Sequence, residues 1–520
     1  RVVYHLMYVA EVPFAAAPIS DGHVYEQAAR DIIAHPPWGT EAFWLQGLYA
    51  YLLALSMAIG GLGVALLVQI VLAGVALFAL HAGVRAMFGA RAAAITLAMA
   101  LAVPALAFYE NKFLSAVLAI LAECLVVWTY ARAEGRDGWA ARVGCGAAAG
   151  LAVLARPNLL LVLPTTLWAL VRTAPAGTRR LRVVLWFTLG VGLALAPMAV
   201  RNAVVTGRAS VFPAHGGGTS FYIGNNAAAR GVWNTADGVL SGDVAHEVEE
   251  LGSDDVGEKM ERERAIGREM YRRGFADIAA DPGRWLVLEA RKLWLLVGND
   301  ELAQDYDRLG ERELLPWFWH SGLPFGVVLA LALLGARAVR RGEHGAARLG
   351  LLGGLAAATV IANLVFFTSS QHRLPLFIPL LVLAAPGVRA IADAIRARGE
   401  GLTRADKIAA GIALVVAAQA VVPRTRVHSP SAVHYYNLAL AWDRVGEQRR
   451  ALAAFDRALA QRPDHPVIRL ERALLRNALG YHEGARADLV ELATLPNVPE
   501  WVRRRADDEL AALGPAARPR

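Results

Sequence analysis

Residues 62–84 read LGVALLVQIVLAGVALFALHAGV, 23 residues without an Asp, Glu, Lys or Arg. As a helix rising 1.5 Å per residue this stretch reaches roughly 35 Å, enough to cross about 30 Å of hydrocarbon. Three further charge-free runs of 18 or more residues lie at 92–109, 183–200 and 349–368. The whole chain agrees: 520 residues, 56% hydrophobic, 19% charged, mean hydropathy +0.38. A water-soluble domain of this size is rarely so apolar, so the sequence reads as a polytopic membrane protein. Weaker spans at 2–19, 113–130, 143–155, 157–171, 321–336, 374–388 and 408–422 bring the expected number to eleven. The chain opens on Arg1 beside an apolar run, so the cytoplasmic start of the first span is expected upstream, and no cleavable signal is evident. The two cysteines, Cys124 and Cys145, fall inside apolar spans and offer no metal site.

Charge orients these spans. The loops 85–91, 131–142, 172–182, 337–348 and 389–407 hold 18 Lys and Arg, whereas 109–112, 156 and 367–373 hold 3. Cytoplasmic loops carry the basic excess, so the first set is inside. The alternation also requires 143–171 to be two short spans meeting at ARPN (155–158), since one span would break parity. The net charge of +8 is thereby an orientation signal, not a nucleic-acid surface. Three segments are left outside: 18–61, 201–320 and everything after 423.

In the first of these, SDGHVYEQAARDII (20–33) starts a surface helix with Ser20 and Asp21 in capping style. WLQGLYAYLLALSMAI (44–59) is an apolar stretch lying on or in the interface, and Trp38, Trp44, Tyr49 and Tyr51 suit the headgroup layer. The second segment opens with a Gly/Asn-rich loop and a charged helix over 255–280. RWLVLEARKLWLLV (284–297) then follows with the apolar period of an interfacial amphipathic helix. The triple glycine 216–218 lacks the Lys-Ser/Thr ending and preceding strand of a phosphate loop. In the third segment Tyr435, Leu438, Ala439, Trp442, Gly446, Ala451, Phe455, Ala458 and Pro463 fall on tetratricopeptide positions. A weaker copy starts at Pro466 and a capping helix lies at 500–513.

The short outer loops hold few polar residues, and those few are acids and bases at one depth: Asp21, Glu110, Asn111, Lys112, Arg156, Gln371, His372 and Arg373. Ionisable groups at that depth are costly unless used. The set suits sugar transfer from a lipid phosphate. Cations at helix ends neutralise a leaving phosphodiester, and a single carboxylate activates the acceptor hydroxyl. Lys112, His372, Arg373 and Arg156 are the candidate phosphate ligands, and Glu26, Asn225 and Asn226 are candidates for an acceptor or sugar loop. Asp21 as a helix cap, Lys112 and Arg373 as headgroup anchors, Arg156 as a helix break and Asn225 and Asn226 as turn formers are the bland alternatives. His215, His320 and His372 form no recognisable metal set, so no metal and no cofactor is expected; the sequence lends no support to a divalent cation.

PISDGHVYEQAARDI (18–32), GLYAYLLAL, LARPN, RNAVVTG, GGGTSFYIGNN and HRLPLFIPL occur in that order. Together they resemble the polytopic GT-C glycosyltransferases, dolichyl-phosphate-mannose–protein mannosyltransferases above all, over roughly residues 1–390. The resemblance implies a polyprenyl-phosphate sugar donor, an inverting transfer and an essential acid in the first outer loop, here Asp21. The family often shows Asp-Glu where this chain has Asp21-Gly22. A second acid would therefore come from elsewhere, with Glu26 and Glu110 as candidates.

The expected architecture is all-α: a polytopic transmembrane helical bundle over 1–423 with outer loops 18–61 and 201–320. A linker at 424–431, tetratricopeptide repeats and a capping helix over 432–513, and a disordered tail at 514–520 complete it. The expected protein is an integral glycosyltransferase of the bacterial inner membrane, multi-pass, with its active face and its repeats on the periplasmic side. It is expected to hand a hexosyl or pentosyl group to an envelope protein, lipid or glycan. Its expected partners are the donor, membrane lipid and a protein or peptide recruited by the repeats, and turnover is expected to survive their removal near Pro430. An O-antigen-ligase-like transferase would rely on late-loop Arg and His without need of Asp21. A non-catalytic membrane-anchored tetratricopeptide scaffold is the other alternative. A carrier fits least, because its polar residues would gather at the membrane midplane.

Overall fold

The computed structural model describes residues 1–213, 217–233, 256–316, 322–424, 431–496 and 498–514. His215, His320, most of the 424–431 linker and the end of the tail lie outside the described residues. Among those described, the chain is all-helical, with one isolated bridge between Val232 and Thr368.

Five helices are long and apolar enough to cross a membrane: Gly47–Phe88, Ala116–Ala133, Arg180–Thr206, Gly345–Val365 and Ser370–Arg396. Ala90–Ala102 and Pro104–Glu110 form a sixth if counted as one span bent by 65°. Trp139–Ala155 and Phe325–Val339 are shorter apolar helices. Eleven uniform spans are therefore not what the described residues form. The expected first span is a ten-residue helix, Val2–Glu11, followed by a 3-10 turn at Pro13–Ala15. The interfacial stretch and the second span join into one 42-residue helical run that breaks at Gly60 and Gly61, the latter at φ +72°. Hydropathy reads the apolar length of a segment, whereas glycine and proline decide where its backbone bends.

Lipid-type packing is written on both sides of these helices. Leu67, Val71 and Phe78 point outward, while Gln69 on the same run is buried and donates to the carbonyls of Glu110 and Lys112 at 3.2 Å. Where helices cross, small residues let backbones touch. A Cβ on Gly146 would lie 2.0 Å from the Phe187 carbonyl oxygen, and one on Gly190 would lie 2.0 Å from that of Val143. This pair holds Trp139–Ala155 against Arg180–Thr206.

Outside the bundle, helix Pro282–Leu296 is capped by Asp281, which accepts from the Arg284 amide at 2.9 Å. Leu286, Val287 and Trp294 on it are exposed, while Leu288, Leu295 and Leu296 are buried, the two-faced pattern read from its sequence.

The C-terminal region is helical hairpin upon helical hairpin: Ala432–Arg444 with Gln448–Gln461, Pro466–Ala478 with His482–Thr494, then Glu500–Ala512. The sequence reading placed tetratricopeptide repeats and a capping helix over this stretch. These helices do not stand apart from the bundle. Tyr435, Leu438 and Phe455 share one continuous core with Phe14 and Tyr306.

Candidate active site

Helix Asp21–Ala34 begins one residue after Ser20, whose backbone sits at φ +48°. The capping expectation is corrected here. Ser20 occupies the cap position, but its hydroxyl does not bond the helix amides. It donates instead to Asp305 Oδ1 at 2.6 Å. Among the described residues no hydrogen bond reaches the Asp21 carboxylate either. Asp21 itself is half-buried.

Asp305 comes from the later outer segment, which is zipped to the loop before Ser370–Arg373. Leu302 N donates to Ser370 Oγ, and Ser370 N to Leu302 O, both at 2.9 Å. Ser369 Oγ reaches Gln304 Oε1 at 3.1 Å, and Gln304 Nε2 reaches Asp305 Oδ2 at 3.4 Å. Three segments distant in sequence thus meet at two carboxyls and one guanidinium. Burial and the neighbouring Asp305 raise Asp21 well above the usual carboxylate range, with Arg156 opposing. Burial raises Asp305 to about 6, against the bond from Ser20, the charge of Arg156 and a bond from Gln371. Two acids so placed are harder to ionise together than singly.

Arg156 follows the last turn of Trp139–Ala155 in extended backbone, as a residue before proline does. It is 6% exposed, donates to the Gln371 carbonyl at 3.3 Å, and leaves its buried Nε without a hydrogen-bond partner. His372 follows the Gln371 carbonyl that Arg156 meets, and its amide donates to Ser369 Oγ at 3.1 Å.

The remaining candidates are engaged elsewhere. Lys112 is 0% exposed, ion-paired to Glu311 and covered by the Tyr8 and Phe108 rings at 3.8 and 4.2 Å. Arg373 donates to the carbonyls of Leu296, Gly298 and Asp300, closing the end of the amphipathic helix. Neither side chain is placed to hold a phosphate, and both are bound more tightly than headgroup anchors. Glu110 pairs with Arg1. Glu26, although burial acts the other way, is held down near about 2 by bonds from His23, Arg30 and Arg444. Asn225 bridges Val365 O, Trp285 and Lys292, and Asn226 closes its own turn by accepting from the Ala228 amide at 2.8 Å. The acid that the fold brings beside Asp21 is Asp305, which the sequence reading passed over, rather than Glu26 or Glu110. Gly22 has a steric reason, since a Cβ there would lie 2.8 Å from the Tyr306 hydroxyl and 3.3 Å from Phe113. Among the described residues no cluster of three or more His, Cys, Asp or Glu is arranged around a metal site.

Residues 47–201 match the model of the family described as Dolichyl-phosphate-mannose-protein mannosyltransferase. The resemblance read from the sequence is borne out over that segment, which includes Glu110, Lys112 and Arg156 and ends at Arg201. The chain is all-helical among its described residues, with several helices long and apolar enough to cross a membrane, and its segment 47–201 is similar to that family. Among solved structures it is similar to the Archaeoglobus fulgidus oligosaccharyltransferase in complex with Zn and sulfate. That match has 16% identity and a TM-score of 0.42, over 81% of this chain and 51% of that one. It is similar to AglB from the same organism in complex with an inhibitory peptide and a dolichol-phosphate, at 14% identity and TM-score 0.36, over 85% and 55%. It is also similar to ArnT from Cupriavidus metallidurans in the apo state, at 15% identity and TM-score 0.33, over 92% and 77%. The chain spans about half the length of the oligosaccharyltransferases it matches. No curated protein sequence matches it.

Proposed function

We propose that this protein moves a sugar from a polyprenyl-phosphate donor to a hydroxyl of an envelope acceptor, with the Asp21–Asp305 pair as the base. The observation that carries the reading is Asp21 itself, an acid free of helix amides that shares its site with Asp305 and Arg156. As the acceptor oxygen bonds to the anomeric carbon, its proton passes to the ionised member of the pair. The bond from that carbon to the phosphate oxygen breaks, and the electron pair leaves with the polyprenyl phosphate. Attack from the face opposite the phosphate inverts the centre. Arg156, with an unsatisfied buried Nε, is the cation proposed to meet the phosphate, and His372 is proposed to add a hydrogen bond. The site lies on outer loops of the bundle, which fits an amphiphilic donor meeting a water-borne acceptor at the membrane surface of a bacterial cell.

Asp21→Asn keeps size and a hydrogen-bonding oxygen but removes proton-accepting power. Transfer by the purified variant from a polyprenyl-phosphate sugar is expected to fall on the order of 10²-fold or more, with donor binding retained. Near-normal transfer would remove Asp21 from the chemistry.

A further inference from the structure

The C-terminal module was expected to recruit a partner and to be dispensable for turnover. Its first helix makes other contacts. Arg444 Nη1 donates to the Pro18 carbonyl at 2.5 Å and Nη2 to Glu26 Oε2 at 2.9 Å, bracketing Asp21 three residues before it and five after. Asn437 Nδ2 donates to the carbonyl oxygen of Asp305 at 3.2 Å. The same helix thus grips the backbone beside each carboxyl of the proposed base.

The grip is close-packed. Asn437 is 7% exposed and His434 3%. A Cβ on Gly310 would lie 2.2 Å from His434 Nε2, so that approach requires a glycine. The His434 ring also meets the edge of Phe14 at 6.2 Å, and Phe14 meets Tyr306, the residue after Asp305, at 5.7 Å. Ser431 N donates to Asp307 Oδ2 at 3.1 Å, while the other oxygen of Asp307 caps helix Arg308–Leu314. Glu313 on that helix takes bonds from Tyr435 at 2.8 Å and from Arg457 at 2.9 Å. Two loops separated by more than 280 residues are therefore fastened to one rigid hairpin. Displacements of about 1 Å at reacting groups can cost on the order of 10²-fold in rate.

We infer that the helix Ala432–Arg444 is part of the active-site scaffold, with Asn437 and Arg444 as positioning residues that set the approach of Asp305 to Asp21. This rests on the Asp21–Asp305 reading of the site. It reverses the expected independence of the membrane part from the repeats.

The test uses the full-length protein with Asn437→Leu, which keeps the volume but removes the donor, Arg444→Ala, and the two combined. Turnover is measured on a soluble acceptor that needs no recruitment, and amide exchange is followed over residues 18–26 and 302–310. The double variant is expected to lose on the order of tenfold in kcat with donor KM unchanged, and to exchange faster in both segments. Arg444→Lys, at the more exposed contact, keeps the charge toward Glu26 and is expected to restore part of the loss even if the double variant folds poorly. Unchanged kcat together with unchanged exchange overturns the inference. Faster exchange in a protein whose Asp21→Asn form still transfers sugar would uphold the scaffold and remove the chemistry instead.

Discussion

Ser20 and Asp305 stand 285 residues apart and are joined by one bond, Oγ to Oδ1 at 2.6 Å. This bond makes a single site from two outer segments, and it is made by the residue whose sequence position marks it as a helix cap. Its backbone, at φ +48°, is in a region that non-glycine residues seldom occupy. Such a conformation persists only where surrounding contacts fix it. Ser20→Ala removes the donor and leaves a buried carboxyl short of a partner. Bonds to charged groups contribute about 1.5–3 kcal/mol, so transfer is expected to fall on the order of tenfold, less than for Asp21→Asn. The measurement is kcat on purified protein, and a loss equal to that of the Asp21 variant would mean that the hydroxyl reacts rather than positions.

The acid limb of the rate profile follows from the pair. An ordinary carboxyl ionises at about 4, whereas burial raises Asp305 to about 6 and raises Asp21 as well. Below that range both carry protons and neither can accept one, so kcat should decline as pH falls through about 6. Arg156 favours the charged form of both acids. Arg156→Gln is therefore expected to move the limb to higher pH while raising donor KM. A limb that moved to lower pH would contradict the arrangement.

Lys112 separates a structural cation from a ligand. It is fully buried against Glu311 beneath Tyr4, Tyr8 and Phe108, so removing it strands a carboxylate. Breaking such a pair costs about 3–5 kcal/mol, while replacing both members with apolar residues is often neutral. Lys112→Ala should lower the unfolding temperature sharply. Lys112→Met with Glu311→Leu should recover most of it, and donor KM in the double variant should stay near normal. A large rise in KM with full stability would return Lys112 to the phosphate.

What could be read from the chain alone followed from local pattern. Asp21 stood out because a bare acid directly follows an apolar run, and the repeat hairpins stood out because small and bulky residues recur at fixed spacing. Asp305 did not, because it is one of six acids between Asp300 and Glu313 and nothing local distinguishes it. Lys112 and Arg373 look like free cations at helix ends until Glu311 and the carbonyls of Leu296, Gly298 and Asp300 arrive from other parts of the chain. Arg444 occupies an ordinary surface position of a repeat, and only the docked hairpin brings it to Pro18. The number of described helices long enough to cross is a related case. Hydropathy does not register the turn at Pro13 or the 65° bend before Pro104.

The orientation of the protein is the last point open to direct measurement. Basic residues concentrate in 85–91, 131–142, 172–182, 337–348 and 389–407, and this charge pattern predicts the loops holding Asp21, Arg156 and His372 on the other side. The hairpin that grips Pro18 and Asp305 must share their side, because contacts of 2.5 and 3.2 Å cannot cross a bilayer. Site and repeats therefore have one orientation between them, and a single experiment reports both. A reporter enzyme active only in the periplasm, fused after Pro463, is expected to be active, and the same reporter fused at Gly177 silent. Cysteine labelling supplies an independent measure: Tyr481→Cys, on an exposed residue of the module, should react with a membrane-impermeant maleimide added to spheroplasts. Activity at Gly177 with silence after Pro463 would put the carboxyl pair in the cytoplasm. An acceptor delivered from the envelope could not then reach it.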